Sequence, residues 1–377
     1  MPTSSTRSGN IPALTGLRFF AALMVFFSHY TISGINDKVG TFFASGYSGV
    51  VFFFVLSGFI IAYTYLDRFE SRPLVHTPRY LWARFCRVYP LYFLTMAFAW
   101  LQEGGERSTA IYLLALQSWH ADIHVIGALN GPAWSISVEA FLYLTFPFLL
   151  PLFNKAGIIQ SKNRLICMAV LIIVIQFGLA YYLSLPPRDA LSPADPNSAH
   201  RWLYNFPLFR VLDFSLGILA AIFFARHAHI LTNIKIWRVM SYVSLVVVLA
   251  VMSCKQLYYS AYSWDAAYAG AFTLLILSLA IDRAGYLSKF LATKKIVLLG
   301  EASFAFYMVH MIAYPMFAVK TTNSLGINIA FELIFLGLII TMSVGLHLTV
   351  EKPCRDFLNK LFPKPKVAKT EMAAAER

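Results

Sequence analysis

Arg18 and His29 stand in one apolar stretch, Ile11–Ile35, with ten residues between them. Lipid penalises an ionisable side chain heavily, so each marks a place where a charge or a proton is used. An imidazole titrates near neutral pH and takes a proton from a hydroxyl as the oxygen attacks an acyl carbon. A guanidinium is a permanent partner for an anion. On a helix the two residues are about 16 Å apart, at roughly 1.5 Å per residue, so they occupy two depths of one membrane. A plainer reading has the His bonded to a neighbouring helix and the Arg stretched to the inner headgroups.

Three further runs carry chemistry-bearing groups. Arg79–Pro90 reads RYLWARFCRVYP. Arg84 and Arg87, three apart, share a helical face, and two guanidiniums on one face suit a phosphate held bidentately. Arg79 extends the run. A basic helix that merely anchors the inner surface explains it as well. Asn130–Glu139 reads NGPAWSISVE. Pro132 ends a loop, Ser135 is placed to cap the next helix, and Glu139 falls over a turn inside it. There a carboxylate would orient an imidazole or act as a second acid/base. It would equally pair with an intramembrane arginine such as Arg210. In Leu299–His310, the residues Ser303, Tyr307 and His310 follow i, i+4, i+7 and form one polar stripe. The stripe lines a substrate path or hydrogen-bonds neighbouring helices. Arg210 and Asp213 are spaced as an internal ion pair. His120 and His124 have ligand spacing without the intervening carboxylate of a zinc motif. The four cysteines are scattered with no C-x-x-C, so neither a disulfide framework nor a metal site is expected.

The elements that position these groups must be membrane helices. The chain is 58% hydrophobic and only 13% charged, with mean hydropathy +0.63, against about 25% charged in soluble domains. The expected fold is an all-α integral membrane bundle of about ten spans, near 12–33, 46–66, 88–102, 134–154, 165–185, 207–225, 239–254, 266–282, 297–319 and 328–350. The net charge of +13 sorts by loop: 23 Lys and Arg fall on one side and 6 on the other. Cytoplasmic loops carry that excess, so both termini are expected inside. The charge is thus a topology signal, with no nucleic-acid partner implied. The first apolar run reads as an uncleaved span. Residues 1–10 read as a disordered cytoplasmic N-terminus, 11–357 as one membrane domain and 358–377 as a cytoplasmic tail whose lysines rest on anionic lipid. Residues 103–133 form a long outer loop in which Ile111–Trp119 is too short to cross, and the five prolines of 186–207 mark an exposed outer loop.

Taken in order, LTGLRFFAALMVFFSH, FFFVLSGFIIAY, ARFCRVYPLY, WSISVEAFLYL, FRVLDFSLG, LGEASFAFYMVH and EKPCRDF resemble the membrane acyltransferase-3 family, the O-acetylases of polysaccharides and other cell-surface molecules. The resemblance runs from Leu14 to about Phe357. It implies an acyl-coenzyme A co-substrate, usually acetyl, with no permanently bound cofactor, and a hydroxyl acceptor such as a cell-surface glycan. It implies Arg18 and His29 as the hallmark pair, donor binding by Arg84, Arg87 and Arg79, and Glu139 in or near the active site. Trp134, Ser135, Arg210, Ser303, Tyr307 and His310 would then contact substrate. Two departures are Ala83, where many members have Arg, and Phe304, where many have Tyr. Some members carry a fused extracytoplasmic domain; this chain is expected to lack one. The expected enzyme is an inner-membrane O-acyltransferase with His29 as a deep base shielded from water, Arg18 neutralising charge and Glu139 orienting or relaying protons. The competing expectation is a secondary transporter using His29, Glu139 and Arg210 as a proton relay.

Overall fold

Proline opens several of the helices, where its missing N–H is one of the orphan donors of the first turn: Pro12, Pro73 and Pro207 all stand at a helix start. The computed structural model describes residues 11–30, 32, 34–103, 110–227, 233–317 and 324–362. Every regular element among them is helical. In chain order these are α1 (Pro12–His29), α2 (Asp37–Ala44), α3 (Gly49–Ser71), α4 (Pro73–Gln102), α5 (Ala110–Leu113), α6 (Ile123–Ile126), α7 (Trp134–Lys155) and α8 (Lys162–Leu183). They continue with α9 (Pro207–Arg226), α10 (Ile234–Ser253), α11 (Ala266–Ile281), α12 (Tyr286–Leu291), α13 (Lys294–Glu301), α14 (Ser303–Phe317), α15 (Leu325–Leu346) and α16 (Lys352–Leu361).

Eight helical stretches among the described residues are long and apolar enough to cross a membrane, and the pair α13–α14, bent by 57°, makes a ninth. The remaining expected span, 88–102, is the second half of the 30-residue α4; Tyr89, Pro90, Tyr92 and Gln102, with Arg87 just before it, keep it outside that set by composition. Residues 1–10 and 363–377 lie outside the described residues, and the boundary placed at 357 falls inside α16.

The bundle has a centre and a periphery. Two-thirds of α9 and α11 and of the α3 span is buried (67% each), against 22% of α8 and of the α15 span. Lipid tails are as apolar as side chains, so close packing rather than water exclusion joins membrane helices. The α3–α9 contact shows the device: a Cβ on Gly58 would overlap the Phe214 carbonyl oxygen, and one on Gly217 that of Val55. The two backbones touch because neither position carries a side chain. Gly300 does the same for α13 against the Thr15 carbonyl of α1, and Gly16 for α1 against the Leu291 carbonyl at the end of α12.

The loop 110–133 is not a simple exposed loop. Gln117 and Ser118 are buried, with Gln117 Nε2 donating to the Ala133 carbonyl at 2.8 Å and Ser118 Oγ to that of Trp134 at 2.6 Å. The segment is laced onto the start of α7. Likewise, 186–197 is largely exposed but Leu203, Tyr204 and Asn205 turn back into the core.

Candidate active site

A cavity of about 400 Å³ lies between α1, α3, α4, α7, α14 and α16, within the roughly 300–1,000 Å³ range of small-molecule sites. Helical spacing fills its walls. Arg84, Arg87 and Val88 come from one face of α4; Ser135, Glu139 and Tyr143, at i, i+4, i+8, from α7; Ser303 and Tyr307 from α14.

One part of the lining is cationic: Arg18, Arg84, Arg87 and Arg355. Arg87 pairs with the buried carboxylate of Glu351, Nη1 to Oε1 at 3.1 Å, and the other oxygen of Glu351 meets His347 Nδ1 at 3.0 Å. Arg84 pairs with no carboxylate among the described residues. Its guanidinium lies 5.9 Å from the ring centres of Tyr65 and Tyr143, and its Nε is buried without a hydrogen-bond partner. A cation so held is stabilised by an anionic ligand, since burying it unmatched is costly. Arg79 is off the lining.

Beside the arginines stands Glu139. The Tyr143 hydroxyl donates to its Oε1, and Ser57 Oγ donates to the same oxygen at 3.5 Å. Glu139 thus pairs with neither Arg210 nor His29, and its partners come from its own helix and α3.

His29 lies elsewhere. It is the last residue of α1, with an exposed side chain, and neither it nor His310 lines the cavity. The base expected deep in the bundle thus stands at a helix end, outside that cavity. Its Nδ1 sits 3.1 Å from His310 Nε2, while His310 Nδ1 lies 2.8 Å from the Tyr307 carbonyl oxygen. A carbonyl only accepts, so His310 Nδ1 carries the proton and, in the neutral ring, its Nε2 is bare. That nitrogen accepts from His29 Nδ1–H, which leaves His29 Nε2 with a free lone pair, the form a general base requires. Tyr307 joins the two regions: its carbonyl fixes His310, and its ring lines the cavity, its hydroxyl donating to the Pro132 carbonyl at 3.3 Å.

The structure does not bring Arg210 or Trp134 to the cavity. Arg210 is fully buried and committed: Nη1 to Asp213 at 2.7 Å, Nε to the Tyr204 carbonyl at 3.0 Å and Nη2 to the Trp264 carbonyl at 2.7 Å. Trp134 packs on Tyr204 with ring centres 4.7 Å apart. Ser135 lines the cavity but caps nothing, its hydroxyl turning back to the Pro132 carbonyl at 2.9 Å, because the helix starts two residues earlier than its position as a cap requires. Ser303 bonds the Gly300 carbonyl at 2.8 Å. Missing from the sequence-derived site were Ser57, Tyr143, Glu351, His347, Arg355 and Asn359. Tyr143 had a signal, its i+4 spacing from Glu139, and so had His347, four before Glu351. Asn359 had none. Among the described residues no group of three or more His, Cys, Asp or Glu is placed to hold a metal.

The class is that of a multi-pass membrane acyltransferase. The chain belongs to the acyltransferase-3 family, whose model, described as an acyltransferase domain, matches residues 11–349. It is 29% identical to Acyltransferase MdmB of Streptomyces mycarofaciens, over 94% of each chain. It is 33% identical to Protein 2 in picA locus of Rhizobium radiobacter, over 37% of this chain and 66% of that protein. A third relative, ORF330 of Acidianus two-tailed virus, has acetyltransferase in its name and is 25% identical over 64% of each chain. No solved structure matches the chain significantly. The transporter reading gives way to an enzyme, and the relay it needed is absent: Arg210 is sealed against Asp213 and Trp264.

Proposed function

We propose that the chain moves an acetyl group from acetyl-coenzyme A to a hydroxyl of a cell-surface glycan, in the inner (plasma) membrane with both termini cytoplasmic. The observation that carries this reading is the single cavity that joins four arginines to Tyr307, the residue whose carbonyl fixes the His310–His29 pair. Phosphates of the donor rest on Arg84 and Arg87, and the pantetheine arm leads the thioester past Glu139 and Tyr307. His29 Nε2 takes the acceptor hydroxyl proton as the oxygen bonds to the acyl carbon. The C–S bond then breaks, and the proton passes to the departing thiolate. Arg18 cannot share that carbon. It lies about 16 Å down the helix from His29, and helical side chains lean toward the N-terminus, away from His29. Its charge therefore serves the donor. Ser135 and Ser303 line the acyl path. The acetyl preference follows the family resemblance and the name of the viral relative.

The test is transfer of labelled acetyl from acetyl-coenzyme A into the glycan fraction of membranes that hold the protein, with mass spectrometry of surface glycans from cells with and without it. Incorporation that vanishes in His29→Ala supports the reading; full incorporation in that variant overturns it.

A further inference from the structure

A second cavity, of about 230 Å³, is enclosed by the segment between α8 and α9 and the segment between α10 and α11. None of its lining residues lines the first cavity. Its walls include three flat rings, His200, Tyr259 and Trp264, together with Arg188, Asp189 and Ser260. The rings are packed on one another, His200 to Trp264 at 4.6 Å and Tyr259 to Trp264 at 4.9 Å between centres. Tyr259 nevertheless keeps 49% of its surface exposed. It also adopts φ +58°, a left-handed conformation that a bulky side chain occupies only at a cost and that clusters at ligand sites. Its N–H is tied to the Tyr47 hydroxyl at 3.3 Å. The buried hydroxyl of Ser260 has no hydrogen-bond partner, and a buried polar atom left unmatched calls for one.

The charge of this lining differs from that of the first cavity. Arg188 and Asp189 cancel, and the Arg188 guanidinium is already engaged over the Tyr182 ring at 4.4 Å and with its hydroxyl at 2.9 Å. Burial, with Arg210 and Arg201 nearby, pushes His200 down to about 4, so its ring is neutral at physiological pH. Its Nδ1 donates to the Pro193 carbonyl at 3.2 Å, leaving Nε2 as an acceptor. A phosphate or nucleotide finds no net charge among the lining residues. A ligand with C–H faces to lie on aromatic rings and hydroxyls to meet Asp189, Ser260 and His200 finds both. The volume is below the roughly 300 Å³ of sites for drug-sized molecules, so one ring fits rather than a chain.

We propose that this cavity binds a neutral saccharide ring, as a site separate from the acyl-transfer cavity. The proposal goes beyond the acyl-transfer reading and does not depend on it. The site is nonetheless coupled to the rest of the bundle. Trp264 gives its carbonyl to Arg210, and Tyr204, 5.3 Å from Trp264 between ring centres, packs on Trp134 at the head of α7.

The test is saturation-transfer NMR on the purified full chain in detergent, with methyl glucoside, methyl galactoside and methyl glucuronide as probes. The expected result is transfer to the neutral glycosides, weakened about fivefold in Tyr259→Ala, the loss of one stacked ring. Asp189→Asn weakens it as well, and Arg84→Ala leaves it unchanged. Absence of transfer to either neutral glycoside overturns the proposal. So does undiminished transfer in both Tyr259→Ala and Asp189→Asn, or stronger binding of the glucuronide. Loss of transfer in Arg84→Ala would move the saccharide to the first cavity and overturn it too. Tyr259→Ala removes a half-exposed ring and is expected to keep the melting temperature, and Asp189→Asn, at an exposed position of the lining, gives a second reading.

Discussion

His310 presents its Nε2 to Nδ1 of His29 at 3.1 Å, across 281 residues of chain. The contact sets the tautomer of the base. His29→Ala is expected to lower kcat by roughly 10²–10⁴-fold, the usual contribution of a general base. His310→Leu leaves Nδ1–H of His29 without its acceptor and lets the ring turn. It is expected to lower kcat about tenfold or more, equal to about 1.4 kcal/mol, with the donor KM unchanged. His310→Gln, whose side-chain oxygen accepts from the same N–H, is expected to recover much of the loss. Steady-state kinetics of acetyl transfer separate these outcomes.

In the proposed reaction Arg84 and Arg87 hold the other substrate, the acyl donor. Arg84→Ala and Arg87→Ala are expected to raise the donor KM about tenfold each, as loss of one charge-assisted contact of about 1.4 kcal/mol does. Lysine replaces the charge without the fork and recovers only part. Coenzyme A at about 100 times its Kd is expected to stabilise the unmodified protein by about 2.7 kcal/mol. Thermal unfolding in detergent is expected to show that protection shrink in both variants.

Glu351 is expected to act through Arg87. Its carboxylate is 1% exposed and holds both Arg87 and His347. Glu351→Gln leaves Arg87, itself 22% exposed, to find water, so its cost falls below the roughly 3–5 kcal/mol of a fully buried broken pair. The melting temperature drops and the donor KM rises, and the double variant with Arg87→Ala raises KM little further because the two residues act as one unit.

Gly58→Ala and Gly217→Ala are each expected to reduce the yield of folded protein from membranes, since the added methyl meets backbone of the facing helix rather than a side chain that can swing away. Gly178→Ala is the control: nothing lies within 4 Å of its added Cβ. Fluorescence-detected size-exclusion chromatography reads the yield.

Arg210→Ala is expected to remove folded protein without changing the donor KM of what remains. The substitution strands a buried Asp213 carboxylate and two backbone carbonyls, a loss of roughly 3–5 kcal/mol for the broken pair alone. A selective rise in KM with normal yield would contradict the structural role.

The helical membrane architecture was legible because hydropathy over some twenty residues reports lipid directly. Arg84, Arg87 and Glu139, each marked by its place in a helical run, do line one cavity, because i, i+3 and i, i+4 spacing survives translation into a helix face. Arg210 did not, since its residue type and depth fit a substrate contact and a buried strut equally. Only the positions of the Tyr204 and Trp264 carbonyls decide between them. The partner of His29 was invisible for a different reason. His310 was marked by its stripe, but pairing across helices depends on how α1 and α14 are rotated, which periodicity within one helix does not encode. The end of α1 was not legible, because the greasy run continues to Ile35 while the helix stops at His29.

The 57° break between Glu301 and Ser303 gives the ninth span two separate attachments. Its first half is wedged against α1 where Gly300 meets the Thr15 carbonyl; its second half carries Ser303, Tyr307 and His310. A straight helix would force any tilt of one end upon the other. With the axis interrupted, the segment that bears the imidazole and phenol takes its direction from its own neighbours, Tyr307 on Pro132 and His310 on His29, while the anchored portion keeps its seat.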